Sequence, residues 1–261
     1  MSNPVFLLPL GAFFNKQYGD VVPSDEQRAE LLNAIKTMHE ILRFNTADSG
    51  ATFHDDLMVW FRNLFFTNEA QFQDAFREFQ YDLPMRARMW RLYNLCWALG
   101  HALHTEGDVL DIGCYDGKTA KVFCNYNKDR LEGRNVCLFD LFDNSPKESR
   151  KPAHGPYLAI RVEQLMSKYH GVVVKGDVKE TIPAALPDKI CFAHIDLNFA
   201  DAEAHVFPEV YARMSRGGVV VFDDFGFKRY RESAQVHFDF LADKPEKILE
   251  LPTGQGLFFK V

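Results

Sequence analysis

The fold is decided by one stretch of sequence, Asp108-Val109-Leu110-Asp111-Ile112-Gly113-Cys114-Tyr115-Asp116-Gly117. A short apolar run there ends in a carboxylate and leads into a turn with glycines at positions 113 and 117, after which the pattern becomes helical. Glycine lets the backbone turn tightly and approach a ligand closely. The stretch therefore predicts a strand, a ligand-binding turn and a helix.

Four more apolar runs follow, most of them with a helical stretch behind them. They are Asn135–Phe139, Val172–Val174, Ile190–Ile195 and Val219–Phe222. Continuous apolar strands joined by helical crossovers predict a parallel sheet covered on both faces. At the tail, Lys247–Leu251 and Leu257–Val261 flank a Pro-Thr-Gly-Gln-Gly turn, which predicts a hairpin that closes the sheet with an antiparallel strand. The predicted class is α/β.

The first hundred residues show helical patterns instead. Ser24 and Gln27 resemble a capping box, with apolar residues at helical spacing behind them. Three further helices are predicted, the first from the stripe Leu57, Trp60, Phe61, Leu64 and Phe65, the second capped by Asn68 and Gln71, and the third over Met85–Leu103. The predicted division is a helical accessory segment, residues 1–84, and an α/β domain, residues 85–261. The accessory segment is rich in Phe, which fits either an ordinary core or an aromatic lid or oligomer surface.

Composition excludes several classes of protein. The chain has 261 residues, of which 47% are hydrophobic and 25% charged, so a disordered or collagen-like chain is not expected. The formal net charge of −6 argues against a surface that binds nucleic acid. None of the five cysteines forms a Cys-x-x-Cys pair, which predicts a reduced, intracellular protein without a thiolate metal site.

The only apolar stretch near the start is Val5–Phe14, which Pro9 and Gly11 interrupt. It is too short to span a bilayer, and no positive charge precedes it as in a signal peptide. The sequence therefore predicts a cytoplasmic protein that does not bind membranes.

Acidic residues stand where successive strands end, which is where open α/β sheets bind ligands. Asp111 takes the place of a glycine in the dinucleotide pattern, and a carboxylate there repels a pyrophosphate but attracts an ammonium or sulfonium group. Asp140 is placed to accept the two hydroxyls of a ribose, and Asp177 is placed at the edge of an adenine. Each acid alone is more often a solvated loop residue or a helix cap, and it is the set of three that indicates a nucleoside ligand.

Five motifs together resemble the macrocin O-methyltransferase family, over roughly residues 107–261. They are Gly107–Gly117, Phe139–Asp143, Gly176–Pro183, Ile195–Leu197 and Gly217–Gly226. The resemblance implies a class I, Rossmann-like methyltransferase sheet with an N-terminal lid. It also implies transfer of a methyl group from S-adenosylmethionine to a sugar hydroxyl on a natural product, with Mg²⁺ or Mn²⁺ required.

The resemblance also implies roles for individual residues. Asp111, Gly113 and Gly117 would hold the methionine part of the cofactor, Asp140 its ribose, Asp177 and Val178 its adenine, and Asp196, Asp223 and Asp224 the metal ion. One residue, Asp116, and two segments, Phe199–Ala202 and Phe227–Tyr230, depart from the family's pattern. These departures bear on the identity of the acceptor more than on the cofactor.

Electrostatics gives the metal site an argument of its own. Three carboxylates at the ends of neighbouring strands repel one another unless a hard cation lies between them, and oxygen ligands favour Mg²⁺ or Mn²⁺. Such an ion acidifies a hydroxyl, so that Asp196 can act as the base. If Asp223 and Asp224 only cap a helix, no metal is needed. His194 lies on the same strand face as Asp196 and is either a core group or an alternative base. The other candidates, His154, His170, His205 and His237, are predicted to be surface or helix residues.

The predicted function is O-methylation of a sugar or glycosylated natural product by an enzyme of natural product biosynthesis, acting as a homo-oligomer on a small-molecule acceptor. A catechol-type O-methyltransferase acting on an aromatic diol is one alternative. A non-catalytic S-adenosylmethionine-binding partner protein is another. An amino methyltransferase is disfavoured because residues 194–198 lack an Asn-Pro-Pro-type turn, and an NAD-dependent oxidoreductase because the glycine pattern is missing.

Overall fold

The computed structural model describes residues 24–42, 51–54, 57–60, 63–142, 155 and 157–261. The chain divides into two compact units, Met1–Asn63 and Leu64–Val261. The predicted boundary near Pro84 thus falls inside the second unit. Among the described residues, no helix is both long enough and apolar enough to cross a membrane.

The described residues of the first unit form one helix and a two-stranded hairpin. Helix α1 spans Asp25–Leu42, and the predicted capping box before it is present, with Ser24 N donating to Gln27 Oε1 at 2.9 Å and Gln27 N donating to Ser24 Oγ at 3.2 Å. Strands β1 (Ala51–His54) and β2 (Leu57–Trp60) pair antiparallel. The helix predicted to begin at Leu57 is therefore wrong. The run of β-branched and aromatic residues there finds a strand partner directly before it, and this pairing outweighs the helical spacing.

The second unit opens with three helices. They are α2 (Ala70–Phe76), α3 (Leu83–Ala87) and α4 (Met89–Ala102). The cap predicted for α2 is wrong, because Glu69 precedes the helix without a side-chain cap and Gln71 Nε2 instead donates to Tyr126 O at 2.6 Å. The single helix predicted over Met85–Leu103 is divided at Arg88 into α3 and α4.

A seven-stranded sheet forms the rest of this unit together with the helices that cover it. The strands are β3 (Asp108–Ile112), β4 (Val136–Asp140), β5 (Gly171–Lys175), β6 (Ile190–Ile195), β7 (Met214–Phe222), β8 (Leu249–Glu250) and β9 (Gly256–Phe259). The helices are α5 (Lys118–Tyr126), α6 (Leu158–Met166), α7 (Val178–Thr181), α8 (Ala200–Arg213) and α9 (Arg231–Leu241).

The strand order in the sheet is β5-β4-β3-β6-β7-β9-β8. Strands β3 to β7 pair in parallel, and β9 and β8 are antiparallel, so the predicted α/β class and the antiparallel closure are confirmed. The chain leaves β3 toward β4 and β5, and then returns to β6 on the other side of β3. The carboxyl ends of β3 and β6 are therefore the topological switch point, where ligands bind in folds of this kind.

Each face of the sheet is covered by its own apolar core. Alternate strand residues such as Val109 and Phe192 face one cluster, which includes side chains of α4, α5 and α6. Their neighbours Leu110 and Ala193 face a second cluster with α8 and α9. Because both faces are covered, the strands are apolar without alternation, as the sequence pattern predicted.

Four phenylalanines before Pro84, Phe66, Phe72, Phe76 and Phe79, belong to the first of these cores, whereas Phe65 and Tyr81 are exposed. Phe72 is 1% exposed, and its ring lies 5.3 Å from that of Tyr93 in an edge-to-face contact. Phe66 stacks on Tyr93 at 4.9 Å. For these four phenylalanines, then, the ordinary core interpretation is correct.

Candidate active site

The turn after β3 is pressed against the end of β6. Gly113 has φ +91°, and a Cβ atom there would lie 2.7 Å from the carbonyl carbon of Asp196 and closer still to its oxygen. Gly113 N and Cys114 N both donate to Phe139 O, at 2.8 and 3.1 Å. The glycine is therefore required by the approach of one strand end to another, whereas the sequence argument had placed a ligand there. Gly117 (φ +71°) begins α5.

Asp140 is held in place by two backbone donors at the end of β4. Its Oδ2 accepts from Tyr115 N at 2.8 Å and its Oδ1 accepts from Phe142 N at 2.9 Å. Both donors belong to residues with positive φ, +48° and +52°. The two donors fix this half-buried carboxylate at the end of β4, the position at which folds of this kind bind a ribose.

The acid after β5 is both a helix cap and a neighbour of Asp140. Asp177 Oδ1 accepts from Lys179 N at 2.9 Å, which caps the short helix α7. The backbone joins the two strand ends, because Gly176 N donates to Asp140 O at 3.1 Å. Val178 is 6% exposed and contributes to the core beneath. The structure thus brings Asp140, Asp177 and Val178 together at one edge of the sheet, where the sequence placed a nucleoside.

Asp111 differs from the other predicted cofactor residues because its side chain is fully buried. Asp111 and His194 are opposite each other in the register of β3 and β6, and Asp111 Oδ1 lies 2.7 Å from His194 Nδ1. Asp111 Oδ2 has no hydrogen-bond partner among the described residues. A buried carboxylate oxygen of this kind suits a positively charged ligand group above the sheet, so the residues fit S-adenosylmethionine.

Two carboxylates beside His194 favour its protonated form. Burial by itself would lower its pKa, but the hydrogen bond to Asp111 and the nearby carboxylate of Asp223 outweigh burial and raise the pKa to about 10. The distance from His194 Nε2 to Asp223 Oδ1 is 3.4 Å. A protonated imidazole cannot accept a proton, so the alternative of His194 as a base does not fit this geometry.

The acid pair after β7 is bound by an arginine that sequence reasoning missed. Arg91, on α4, donates from Nη2 to Asp223 Oδ2, to Asp223 O at 2.9 Å and to Asp224 Oδ1 at 2.8 Å. Gln255 Nε2 donates to Asp223 Oδ1 at 2.9 Å. Burial raises the pKa of Asp223, but Arg91 and His194 outweigh it and hold the pKa well below the usual range. One signal in the sequence was available, since Arg91 is the only charged residue between Met89 and Gly100 in an otherwise apolar helix.

Asp196 lies just beyond the end of β6, next to the turn after β3. Its backbone N donates to Ile112 O at 2.8 Å, and its Oδ1 accepts from Asn198 Nδ2 at 3.0 Å. A cavity of about 10 Å³, roughly the space of one water molecule, is lined by Asp196 together with Asp223, Asp224 and Tyr230. Burial and the charges of Asp224 and Asp196 raise the pKa of Tyr230.

A second buried pair, Glu203 and His237, lines the same cavity. His237 Nε2 lies 2.6 Å from Glu203 Oε2, and the imidazole stacks on Phe222 at 3.6 Å. His237 lies on a helix as expected, but it is only 1% exposed, so it is not a surface residue. No spacing in the sequence relates these two residues, because they meet only where α8 packs on α9.

Two of the other predicted histidines, His170 and His205, make none of the contacts described above. His170 is exposed, and His205 Nε2 lies 3.2 Å from Ile182 O. His154 and Asp143 fall outside the described residues.

The donors around Asp223 and Asp224 do not fit a divalent metal ion. Mg²⁺ requires about six oxygen ligands in near-octahedral geometry. Here a guanidinium contacts both acids, and an amide and an imidazolium face the other oxygen of Asp223. Among the described residues, which include Asp196, no group of three or more His, Cys, Asp or Glu side chains is arranged to hold a metal ion.

Comparison with known proteins agrees with this architecture. Residues 110–225 match the family model Methyltransf_24, described as a methyltransferase domain. The chain is similar to the solved structure of CalS11, a calicheamicin methyltransferase, with TM-score 0.58, 18% identity and coverage of 92% of this chain and 94% of that one. It is also similar to the O-methyltransferase NovP, with TM-score 0.60, 14% identity and coverage of 88% and 99%. No curated protein matches the sequence.

The fold and the domain match define the class of this protein, which is that of the class I methyltransferases. The chain is an S-adenosylmethionine-dependent methyltransferase. At these identities the two solved structures establish a common fold, and membership of the macrocin family stays a prediction.

Proposed function

We propose that this methyltransferase transfers a methyl group to a hydroxyl of a small molecule, a sugar or a glycosylated natural product. The observation that supports this most directly is the placement of Asp196. Its half-buried carboxylate lies beyond β6, beside the turn of Gly113 that the cofactor would occupy, and a neutral amide from Asn198 orients it. A carboxylate beside the cofactor turn suits a general base for a hydroxyl.

The cofactor supplies an electrophilic methyl group on a sulfonium, and the chain's own residues have to bind it and orient the acceptor. In this proposal Asp140 accepts the ribose hydroxyls, while Asp177 and Val178 border the adenine. Asp111 lies within the sheet, beneath the cofactor, and its unpartnered oxygen favours the positively charged end of the cofactor. Gly113 and Gly117 shape the turn that holds the methionine part.

Asp196 takes the hydroxyl proton in this proposal. His194 does not compete for the role, because its raised pKa keeps it protonated. The divalent metal that the sequence predicted is left out of the mechanism, because the residues around Asp223 do not fit one.

The acceptor class rests on a neighbouring aromatic side chain and on the structural relatives. Phe199, three residues beyond Asp196, is 64% exposed. An exposed aromatic ring can pack against the C–H face of a sugar or stack on an aromatic diol. CalS11 is described as a TDP-rhamnose 3'-O-methyltransferase, which favours a sugar. The other sequence predictions, a cytoplasmic homo-oligomer in natural product biosynthesis that binds neither nucleic acid nor membrane, remain proposals.

An acceptor screen with methyl-labelled S-adenosylmethionine tests this function. One arm contains sugar nucleotides and glycosides, a second contains catechols, and a third contains amines. We expect label in the first arm, at a hydroxyl oxygen identified by mass spectrometry and NMR. Label in the catechols alone would move the assignment to the aromatic-diol alternative, and label in the amines alone would contradict O-methylation. Cofactor binding without turnover in every arm would favour a non-catalytic partner protein.

Two variants then test the base. Asp196→Asn should lower kcat by about 10²–10⁴-fold, because an amide cannot accept the proton. The affinity for S-adenosylhomocysteine should change little. Asp201→Asn is the matched control, because Asp201 is exposed on α8 and pairs with Lys179. If Asp196→Asn turns over at the parent rate, Asp196 is not the base.

A further inference from the structure

The buried charges at the end of β7 form a connected chain. Asp111 contacts His194, His194 faces Asp223, and Asp223 and Asp224 both contact Arg91. Arg91 and Asp223 are each 8% exposed. An acid that is buried to this degree requires a cation close by, and removing the cation is far more costly than at a surface. The question is which cation the protein uses.

Every polar contact of Asp223 is already made by the chain. Oδ2 accepts from Arg91 Nη2, and Oδ1 accepts from Gln255 Nε2 at 2.9 Å and faces His194 Nε2 at 3.4 Å. Its backbone oxygen accepts from Arg91 Nη2 at 2.9 Å. A metal ion bound by Asp223 would have to displace the guanidinium or approach it closely, and like charges at such distances repel strongly in a buried site.

Arg91 is also fixed in position by its surroundings. Its guanidinium carbon lies 5.2 Å from the centre of the Phe227 ring, and its backbone oxygen accepts from Gln255 Nε2 at 3.4 Å. Gln255 therefore contacts both the acid and the helix that carries its cation. A planar guanidinium that is held in this way loses little freedom when it bridges two carboxylates.

We propose that Arg91 is the permanent cation of the Asp223–Asp224 pair and occupies the role that the sequence assigned to a divalent metal ion. Arg91 is then a positioning residue, which holds Asp224 and the segment after it beside Asp196. The charge that a metal would bring is supplied from α4, a helix outside the motifs of the fold. This inference concerns only Asp223 and Asp224. Its test does not depend on which acceptor the enzyme methylates.

Binding of Mn²⁺ to the full chain tests the proposal without any acceptor. Free Mn²⁺ is counted by electron paramagnetic resonance in wild type and in Arg91→Met, which keeps the length of the side chain and removes its charge. We expect no specific binding to wild type, and an affinity at least about tenfold higher in Arg91→Met, because two carboxylates then lack their cation. Adding Asp224→Asn to Arg91→Met should abolish the gain.

Controls keep the result decisive. Arg134→Met is the matched variant, because Arg134 donates to Gly107 O and Leu103 O and not to the acid pair, and it should bind Mn²⁺ like wild type. Arg91→Lys keeps a cation and should still exclude Mn²⁺. If Arg91→Met does not fold, Mn²⁺ binding to wild type and to Arg91→Lys tests the proposal. Stoichiometric Mn²⁺ binding to wild type that is lost in Asp224→Asn, or an unchanged affinity in a folded Arg91→Met, would overturn the proposal.

Discussion

His194 shows how two neighbours determine the charge of a buried group. An imidazole surrounded by apolar side chains is ordinarily neutral, but this one has an acid at each nitrogen and is protonated. Its charge in turn stabilises the ionised form of Asp223. The protonation states of His194 and Asp223 are therefore interdependent.

Removal of His194 should accordingly destabilise the protein strongly. We expect His194→Gln to lower the free energy of unfolding by about 3–5 kcal/mol, because two buried acids lose a shared cation. Urea denaturation at neutral pH measures the change. His104→Gln is the control, since His104 is exposed, and should stay within about 0.5 kcal/mol of the parent. A loss of that small size for His194→Gln would show that the imidazole is neutral.

A second prediction at the same scale concerns Asp140. Asp140→Ala should weaken S-adenosylmethionine binding by about ten- to a hundredfold, or about 1.5–3 kcal/mol, because the paired hydroxyl contacts are lost. Calorimetry of the variant beside Asp129→Ala, whose side chain is exposed, isolates the effect. An unchanged affinity would remove Asp140 from the cofactor site.

Among the connecting elements, the turn between β3 and α5 has the strictest requirements. Its glycine at position 113 has a positive φ and also lies against the backbone of Asp196. Gly133 has a positive φ of +76°, but a Cβ atom added there would meet no described heavy atom within 4 Å. Comparing the same substitution at the two glycines therefore distinguishes the cost of backbone strain from the cost of steric crowding.

Gly133→Ala should destabilise the protein by about 1–2 kcal/mol, the cost of a left-handed conformation. Gly113→Ala should destabilise the protein by about 1–3 kcal/mol more than Gly133→Ala, because its methyl group also collides with the end of β6. Thermal and urea unfolding of both variants measure the difference. Equal losses would mean that the turn moves away from Asp196 without cost.

The carboxyl terminus forms another element whose stability depends on charge. Glu246 Oε1 accepts from Lys260 Nζ at 2.8 Å and from Val261 N at 3.1 Å, and Tyr211 donates to Oε2 at 2.9 Å. Burial raises the pKa of Glu246, but these hydrogen bonds outweigh it and lower the pKa to about 2.

The sign of the resulting pH dependence follows from that shift. A carboxyl whose pKa is lower in the folded state contributes stability above its ordinary pKa, near 4.5, and loses it as the pH falls toward about 2. Glu246→Gln should be less stable than the parent at pH 7, and the difference should shrink between pH 4.5 and 2. A difference that is constant over this range would mean that Glu246 titrates normally.

For the molecule as a whole, the division after Asn63 predicts where the chain can be shortened. A chain that begins at Leu64 keeps the aromatic core of α2 intact and should fold and bind S-adenosylhomocysteine. A chain that begins at Met85 loses Phe66, Phe72, Phe76 and Phe79, and exposes the face of α4 and α5 that they cover. We expect it to be insoluble or unfolded, because burying aromatic side chains contributes several kcal/mol each.

Circular dichroism and calorimetry compare the two truncations. Folding of the chain that begins at Met85 would support the predicted domain boundary near Pro84. Full acceptor turnover by the longer one would argue against a lid or assembly role for the part of the predicted accessory segment, residues 1–84, that precedes Leu64.

The sheet could be predicted from sequence because each parallel strand is a continuous apolar run with an acid or glycine at its end. The hairpin of β1 and β2 could not, since Leu57 to Trp60 fits a helical stripe as well as a strand. Arg91 and Asp223 were missed as a pair because 132 positions separate them and no motif relates a helix before the sheet to the end of β7. Glu203 and His237 were also missed as a pair, because they lie on different helices and no motif relates them.

The chain of contacts from Asp111 through His194 and Asp223 to Arg91 has a consequence for how this sequence can evolve. A single replacement in it leaves a neighbouring buried charge without its counterpart, so selection removes most intermediates. Positions 91 and 223 should therefore covary among descendants of this protein. A lineage that loses the guanidinium while it keeps both acids would have to acquire another cation in the same step, and an ion from solution is the most accessible one.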